Sequence, residues 1–306
     1  MKSNKIPFFN YPALFEQRKE EYINIVQDVL SRGAYIMQQE LIDFENDLAK
    51  YLGVKHAIGV ADGTMALLTS LMAADIGEGD EVIVPSHTFI ASAAAIHHSG
   101  AKPILADCQE DHLIDPDSIL KLITPKTKAI MPVQLNGRVA DMDAINKIAD
   151  EYNLIIIEDS CQALGAKYKD QFAGTFGLTG TFSFFPAKTL GCFGDGGAVV
   201  TNNDEVAAKI RMIRDHGRDP IDGKVKIFGF NSRLDNLQAA ILGLKLKYYD
   251  EDVFRRRQIA TLYHLHLCSI EQILLPPAPD SEVDHFDVFQ NYEIEAQDRD
   301  KLREFL

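Results

Sequence analysis

The sequence predicts an α/β fold, a mixed and mostly parallel sheet covered by helices, with a smaller C-terminal lobe. Three observations lead there. From about residue 56 onward, short apolar runs alternate with amphipathic helix-like segments. Several of those runs are apolar throughout rather than at every second residue, as strands buried on both faces require. The chain has 306 residues, more than a single hydrophobic core usually holds.

Each element follows from its local pattern. Residues 56–60 form a short apolar run, and residues 64–74 carry Leu67, Leu68, Leu71 and Met72 at helical spacing. The run EVIVP at 81–85 predicts a second strand, and the small-residue segment 91–98 a helix. PILA at 103–106 is a further strand. Asp115-Pro116 after it reads as a helix N-cap with proline at the first helical position. Strand 129–133, helix 141–152 and strand 154–159 repeat the pattern. Residues 182–185 and 198–201 predict two more strands around a glycine-rich turn. Helices are expected at 205–216 and 234–249, the second without a breaker for four turns. Pro276-Pro277-Ala278-Pro279 is a stiff connector, 289–295 alternates like a strand, and Asp298 caps a last helix. The division expected is a large unit over 1–250 with an N-terminal helical segment, and part of a small C-terminal unit over 251–306. The last helix stops half-built on Phe305-Leu306, which reads as truncation.

Composition narrows the function. Lys and Arg number 31 against 45 Asp and Glu, a net charge of −14 that repels phosphate backbones and anionic lipid. Neither nucleic acid nor a membrane is therefore an expected partner. The 46% hydrophobic and 25% charged fractions are those of a globular protein. No apolar stretch approaches the ~20 residues of a membrane span, and residues 1–21 lack a secretory pattern. Cys108, Cys161, Cys192 and Cys268 form no CxxC pair, which favours reduced thiols and a cytoplasmic address. His97-His98 and His264/His266 diverge around their helices, so no metal site is expected.

Three strand ends carry candidate chemistry. Ala61-Asp62-Gly63-Thr64 joins a strand to a helix, where a glycine lets backbone N–H groups approach an anion; an ordinary turn would look the same. The run LIIIED ends in Glu158 and Asp159, acids that could face a ligand or cap the next helix. Lys188 follows the aromatic strand end Ser183-Phe184-Phe185 and precedes the glycine-rich turn Gly194-Asp195-Gly196-Gly197. Partial burial there would favour a neutral, nucleophilic amine, whereas a surface lysine would snorkel. One cofactor, pyridoxal 5′-phosphate, uses all three features: an amine for its aldehyde, a carboxylate for its ring nitrogen and an anion pocket for its phosphate. The chain has no P-loop, and no G-x-G-x-x-G lies at a strand–helix junction.

The segments GVADGTMALLTSL, GDEVIVPSHTFIASAAAI, EDSCQALGAKY, FSFFPAKTLGCFGDGGAVVTN, RDHGR and FNSRLDNLQAAILG resemble the DegT/DnrJ/EryC1/StrS family of sugar aminotransferases, in family order over most of residues 30–250. The resemblance implies the fold-type I architecture, with a seven-stranded sheet and a homodimer whose active sites lie at the subunit interface. It implies that Lys188 holds the cofactor as a Schiff base and shuttles the proton, and that Asp159 pairs with the ring nitrogen. Gln162 would bond near the phenolic oxygen and Phe89 would stack on the ring. Gly63, Thr64 and Ser183 would bind the phosphate, and Asn231 would reach the phosphate in the neighbouring subunit. The implied reaction moves an amino group from L-glutamate to a nucleotide-diphosphate-linked 3- or 4-keto-6-deoxyhexose. Cyclitols or other ketones, or a non-catalytic regulatory role, are the alternatives. Four positions depart from the family pattern: in Gln134-Leu135-Asn136-Gly137, which replaces His-Leu-Tyr-Gly, both Gln134 and Asn136 differ, Asp195 replaces a glutamate, and Met37 stands where glycine is usual.

Overall fold

A computed structural model describes residues 7–306. Three helices come first: α1 (Tyr11–Glu16), α2 (Lys19–Ser31) and α3 (Gln39–Leu52), the last ended by Gly53 at φ +70°. Strands and helices then alternate as the sequence predicts: β1 (His56–Val60), α4 (Gly63–Ala73), β2 (Glu81–Pro85), α5 (Ala91–His98), β3 (Lys102–Ala106), α6 (Pro116–Leu122), β4 (Thr127–Ile130), α7 (Met142–Tyr152) and β5 (Ile155–Asp159). A small hairpin, β6 (Lys167–Tyr168) and β7 (Gln171–Phe172), leads to β8 (Thr179–Ser183), β9 (Gly197–Thr201) and α8 (Asp204–Ile213). Local signals set the helix starts. Asp62, Asp115, Asp141 and Asn203 each accept a backbone N–H of the first turn of α4, α6, α7 and α8.

Seven strands make one sheet in the order β1-β9-β8-β5-β4-β2-β3, with β9 alone antiparallel to its neighbours. The carboxyl ends of the other six share one edge, beside the amino end of β9. Alternate residues bury on opposite faces. Ala57 and Ile156 join Leu41, Phe44, Leu48, Ile145 and Leu242 on one side, while Ile157 packs with Leu67, Leu71 and Ile96 of α4 and α5 on the other. Helix α4 crosses over β5, β8 and β9, so its N-terminus opens at the edge where those strand ends gather.

The C-terminal part departs from the predicted elements in two places. The helix predicted over 234–249 is two helices, α9 (Asn236–Leu246) and α10 (Tyr249–Leu267). The turn at Lys247–Tyr248 brings Tyr249 fully into the core, where its hydroxyl bonds at 2.7 Å to both the Leu164 carbonyl and the Thr189 hydroxyl. The strand predicted over 289–295 is confined to β12 (Glu295–Ala296), which pairs with β10 (Ile273–Leu274), while β11 (His285–Phe286) extends the small hairpin. Phe289 at φ +50° interrupts the alternation. Residues 288 and 290 instead donate their backbone N–H groups to the carbonyls of Gly137 and Asn136, at 2.9 and 2.8 Å. The final helix, α11 (Arg299–Phe305), forms, with Asp298 ion-paired to Lys301 at 3.2 Å instead of capping the backbone. Met37, where the family pattern has glycine, adopts φ +50°, the left-handed region that glycine enters freely.

A buried asparagine ties the N-terminal helices to this core. Asn236 accepts the Leu41 N–H at 3.0 Å and donates to the Ala34 carbonyl and the Glu40 carboxylate at 2.7 and 2.6 Å. Asn236→Ala leaves the buried Leu41 N–H and the Ala34 carbonyl without their partner, so urea denaturation should show a loss of about 2–3 kcal/mol. An unchanged midpoint would mean that α3 docks through its apolar face alone.

Candidate active site

The shared edge of the sheet encloses a cavity of about 390 Å³. Its walls include Gly63 and Thr64 from the start of α4, Phe89 before α5, Asp159 from β5, Gln162 after it, Ser183 from β8, and Lys188 and Asp195 from the following loop. Seven of the eight site residues named from sequence therefore converge. The eighth, Asn231, lies exposed outside the cavity, accepting a bond from Arg233 at 2.6 Å.

Strand alternation separates the two acids that end β5. Glu158 is wholly buried on the side away from the cavity. It accepts bonds from the N–H groups of Gly174, Phe176 and Gly177 at 2.9, 2.6 and 3.0 Å, and from Gln134 Nε2 at 2.9 Å. Burial pushes its carboxyl above the usual range, and these donors pull it back down. Gln134 also accepts the Ala140 N–H at 2.8 Å, so this departure from the family pattern sits in a structural cluster on the far face. Asn136, two residues on, does adjoin the site: its N–H donates to Gln162 Oε1 at 2.8 Å.

Asp159 faces the cavity and is 6% exposed. Ser92 Oγ, fully buried on α5, donates to its Oδ2 at 2.7 Å, and the Cys161 N–H donates to Oδ1 at 3.2 Å. With its proton committed to the carboxylate, Ser92 takes a 2.7 Å bond from the Thr88 hydroxyl. Thr88 and Ser92 are polar residues four apart on a stretch otherwise rich in small apolar ones. That spacing was the available signal for two side chains the sequence reading did not name.

The start of α4 offers an anion cradle. Among the described residues, no acceptor takes the N–H groups of Gly63 and Thr64, and the helix dipole favours negative charge there. A Cβ on Gly63 would fall 2.8 Å from Ser183 Cβ and 2.9 Å from Cys161 Sγ, so only glycine keeps this corner open. The Ser183 hydroxyl adds a donor. Burial, then the Asp159 charge, drives the Cys161 thiol well above its ordinary range, so it remains a protonated, inert wall. Lys188 reaches the cavity with no ion pair or hydrogen bond to its amine among the described residues. A free amine, a buried carboxylate and a glycine-opened helix end around one cavity are what pyridoxal phosphate requires.

The sequence pattern of the DegT/DnrJ/EryC1/StrS aminotransferase family matches residues 16–306. The chain belongs to that family. It is similar to the dTDP-3-amino-3,4,6-trideoxy-alpha-D-glucose transaminase of Streptomyces venezuelae, 42% identical over 305 residues that span 99% of this chain and 79% of that one. Its fold superposes on the crystal structure of S. venezuelae DesV in complex with ketimine intermediate with a TM-score of 0.94, at 41% identity over 98% of this chain and 80% of that one. NtdA from Bacillus subtilis with bound cofactor PMP gives 0.90, at 35% identity over 99% and 69%. This aminotransferase accordingly uses pyridoxal phosphate and has the fold-type I architecture. Among its described residues, no helix is long and apolar enough to cross a membrane, and no group of three His, Cys, Asp or Glu residues could hold a metal ion.

The two acids of β5 give a paired test. Glu158→Ala leaves four buried donors unmatched and should lower unfolding free energy by at least about 3 kcal/mol. Asp159→Ala, which removes two bonds beside an open cavity, should cost less stability than Glu158→Ala while amino transfer drops at least ~100-fold. Melting curves and activity of the two variants check the assignment; the reverse pattern would exchange their roles.

Proposed function

We propose that this aminotransferase moves an amino group from L-glutamate to a nucleotide-diphosphate-linked 3- or 4-keto-6-deoxyhexose, with Lys188 as the cofactor lysine. The observation that carries the reading is Asp159, buried and doubly hydrogen-bonded across the same cavity that Lys188 and the start of α4 enter. Bound pyridoxal phosphate supplies an aldehyde that exchanges amines and a ring that accepts the electrons released at a substrate carbon. The chain's residues do the rest. Asp159 would face the ring nitrogen, and Ser92 with the Cys161 N–H fixes the direction in which its carboxylate points. The Gly63 and Thr64 N–H groups and the Ser183 hydroxyl bind the phosphate. Gln162, its Oε1 occupied by the Asn136 N–H, has an amide N–H that bonds no other group among the described residues and can serve the phenolic oxygen. Phe89, 69% exposed at the cavity wall, supplies a flat apolar face for stacking and shuts out water. Lys188 would hold the cofactor through its amine, and that amine, when free, would move a proton at the donor's Cα. The S. venezuelae relative's name, a transaminase of a dTDP-linked 3-amino sugar, supports a nucleotide-linked ketosugar as acceptor.

The reading includes a homodimer. Residues 221–230 carry Ile221 and Phe228 at 93% and 97% exposure, with Val225 also exposed, directly before Asn231. An apolar arm of this kind is costly in water and suits burial against a second copy, where Asn231 reaches the partner's phosphate site. A cytoplasmic address completes the reading.

Borohydride trapping followed by peptide mapping should place the reduced cofactor on Lys188, and a panel of nucleotide-linked ketosugars with glutamate should yield an aminated product that Lys188→Ala abolishes. Label on another lysine would overturn the assignment; amination of cyclitols alone would overturn the substrate class. Phe228→Asp should give monomers in sedimentation velocity and weaken pyridoxal phosphate binding at least ~10-fold. A dimer with full affinity would separate the arm from the site.

A further inference from the structure

The loop that carries Lys188 is gripped by a side chain from the far end of the sequence. Gln290 is 7% exposed. Its Oε1 accepts the Thr189 N–H at 2.8 Å, and its Nε2 donates to the Ala187 carbonyl at 2.8 Å. Those two backbone groups flank Lys188, so one planar amide holds the lysine's own backbone from both sides. Among the described residues, no other side chain bonds the backbone of residues 187–189. Gln290 is fixed in turn. Its N–H donates to the Asn136 carbonyl at 2.8 Å, and Arg256 donates to the carbonyls of Phe289 and Gln290 at 3.2 and 3.4 Å. Asn136 bonds Gln162 in the cavity wall, so a continuous set of bonds joins wall, turn, Gln290 and lysine loop.

We propose that Gln290 is a positioning residue for Lys188. The proposal rests on the reading of Lys188 as the cofactor lysine. A lysine stem has four rotatable bonds, so the arc its amine can sweep is set by where its backbone is held. The amine must serve two places, the cofactor carbon and the substrate proton, and a shift of about 1 Å can cost ~100-fold in rate. Glutamine suits the clamp because it offers a donor and an acceptor in one plane. Leucine offers neither, and an ionised glutamate only acceptors, but a protonated glutamate again offers one of each.

The test compares holoenzymes of wild type, Gln290→Leu and Gln290→Glu. Borohydride mapping comes first: label away from Lys188 in the wild type refutes the lysine assignment itself and is distinguishable from failure of the clamp. With Lys188 labelled, Gln290→Leu should lower kcat ~10- to 100-fold with KM for the amino donor within about threefold. Hydrogen exchange at the Thr189 amide should accelerate by at least ~10-fold as its acceptor is lost. Burial raises a carboxyl pKa, so Gln290→Glu should keep the clamp at about pH 6 and lose it toward about pH 9. Its kcat relative to wild type should therefore fall with rising pH, while the leucine variant's ratio stays flat. A flat ratio for Gln290→Glu, or unchanged Thr189 exchange in Gln290→Leu, overturns the proposal. The glutamate series decides alone if the leucine variant does not fold.

Discussion

Successive residues of a strand face opposite sides of a sheet, and at the end of β5 that alternation gives two neighbouring carboxylates different work. Glu158 turns into the protein and holds the 174–177 loop and Gln134. Asp159 turns toward α4 and α5, into the cavity. A slip of one residue would exchange them, placing the loop anchor in the cavity and the cavity's carboxylate in the core. The register is pinned because β5 pairs with β4 on one side and β8 on the other, and because Ile156 and Ile157 fill different cores. The electronic character of the site thus depends on packing beneath it.

The antiparallel β9 has a complementary role. Entering from the cavity edge, it lays Gly197 beside both Val60 and Ser183, the ends of β1 and β8. A Cβ on Gly197 would lie 2.4 Å from the Asp62 carbonyl carbon and oxygen, so this close approach lets the start of α4 sit directly over the strand ends. The anion cradle is consequently built of backbone N–H groups and hydroxyls. Such a cradle recognises phosphate by direction and short range, which is compatible with a surface whose net charge is −14.

The sheet was legible in the sequence because buried parallel strands announce themselves as apolar runs between amphipathic helices. Local chemistry marked the helix starts, with Asp115-Pro116 a clear case. That Gly63, Asp159 and Lys188 gather at one cavity was legible because each is an unusual residue type at or just beyond a strand; the family motifs supplied Phe89, Gln162 and Ser183, which line the same cavity, and Asn231, which lies outside it. Ser92 was not: its spacing from Thr88 marks a shared face but not the carboxylate which that face meets. The C-terminal region was misread for a related reason. Residues 289–295 alternate in polarity, yet their backbone bonds go to the turn at 136–137, a long-range pairing with no local pattern. The break between α9 and α10 likewise answers to a pocket for Tyr249 formed by residues 164 and 189.

That long-range pairing changes what the end of the chain is for. Sequence pattern suggests a boundary near residue 250, with the site on one side of it. Yet Tyr249 and Val253 belong to the main core, and residues 287–290 lie against Arg138, Gly137, Asn136 and the lysine loop. Arg138 is buried between Asp287 and the Asp111 and Glu282 carboxylates, so the segment is held by charge as well as by backbone bonds. Removing one member of such a cluster leaves buried charge uncompensated, and the segment must either stay docked or expose all of it. Docking is therefore cooperative, and the lysine loop shares in it through the side chain of Gln290. A residue outside the recognised motifs, more than a hundred positions from the lysine, is thereby brought within hydrogen-bonding distance of its backbone.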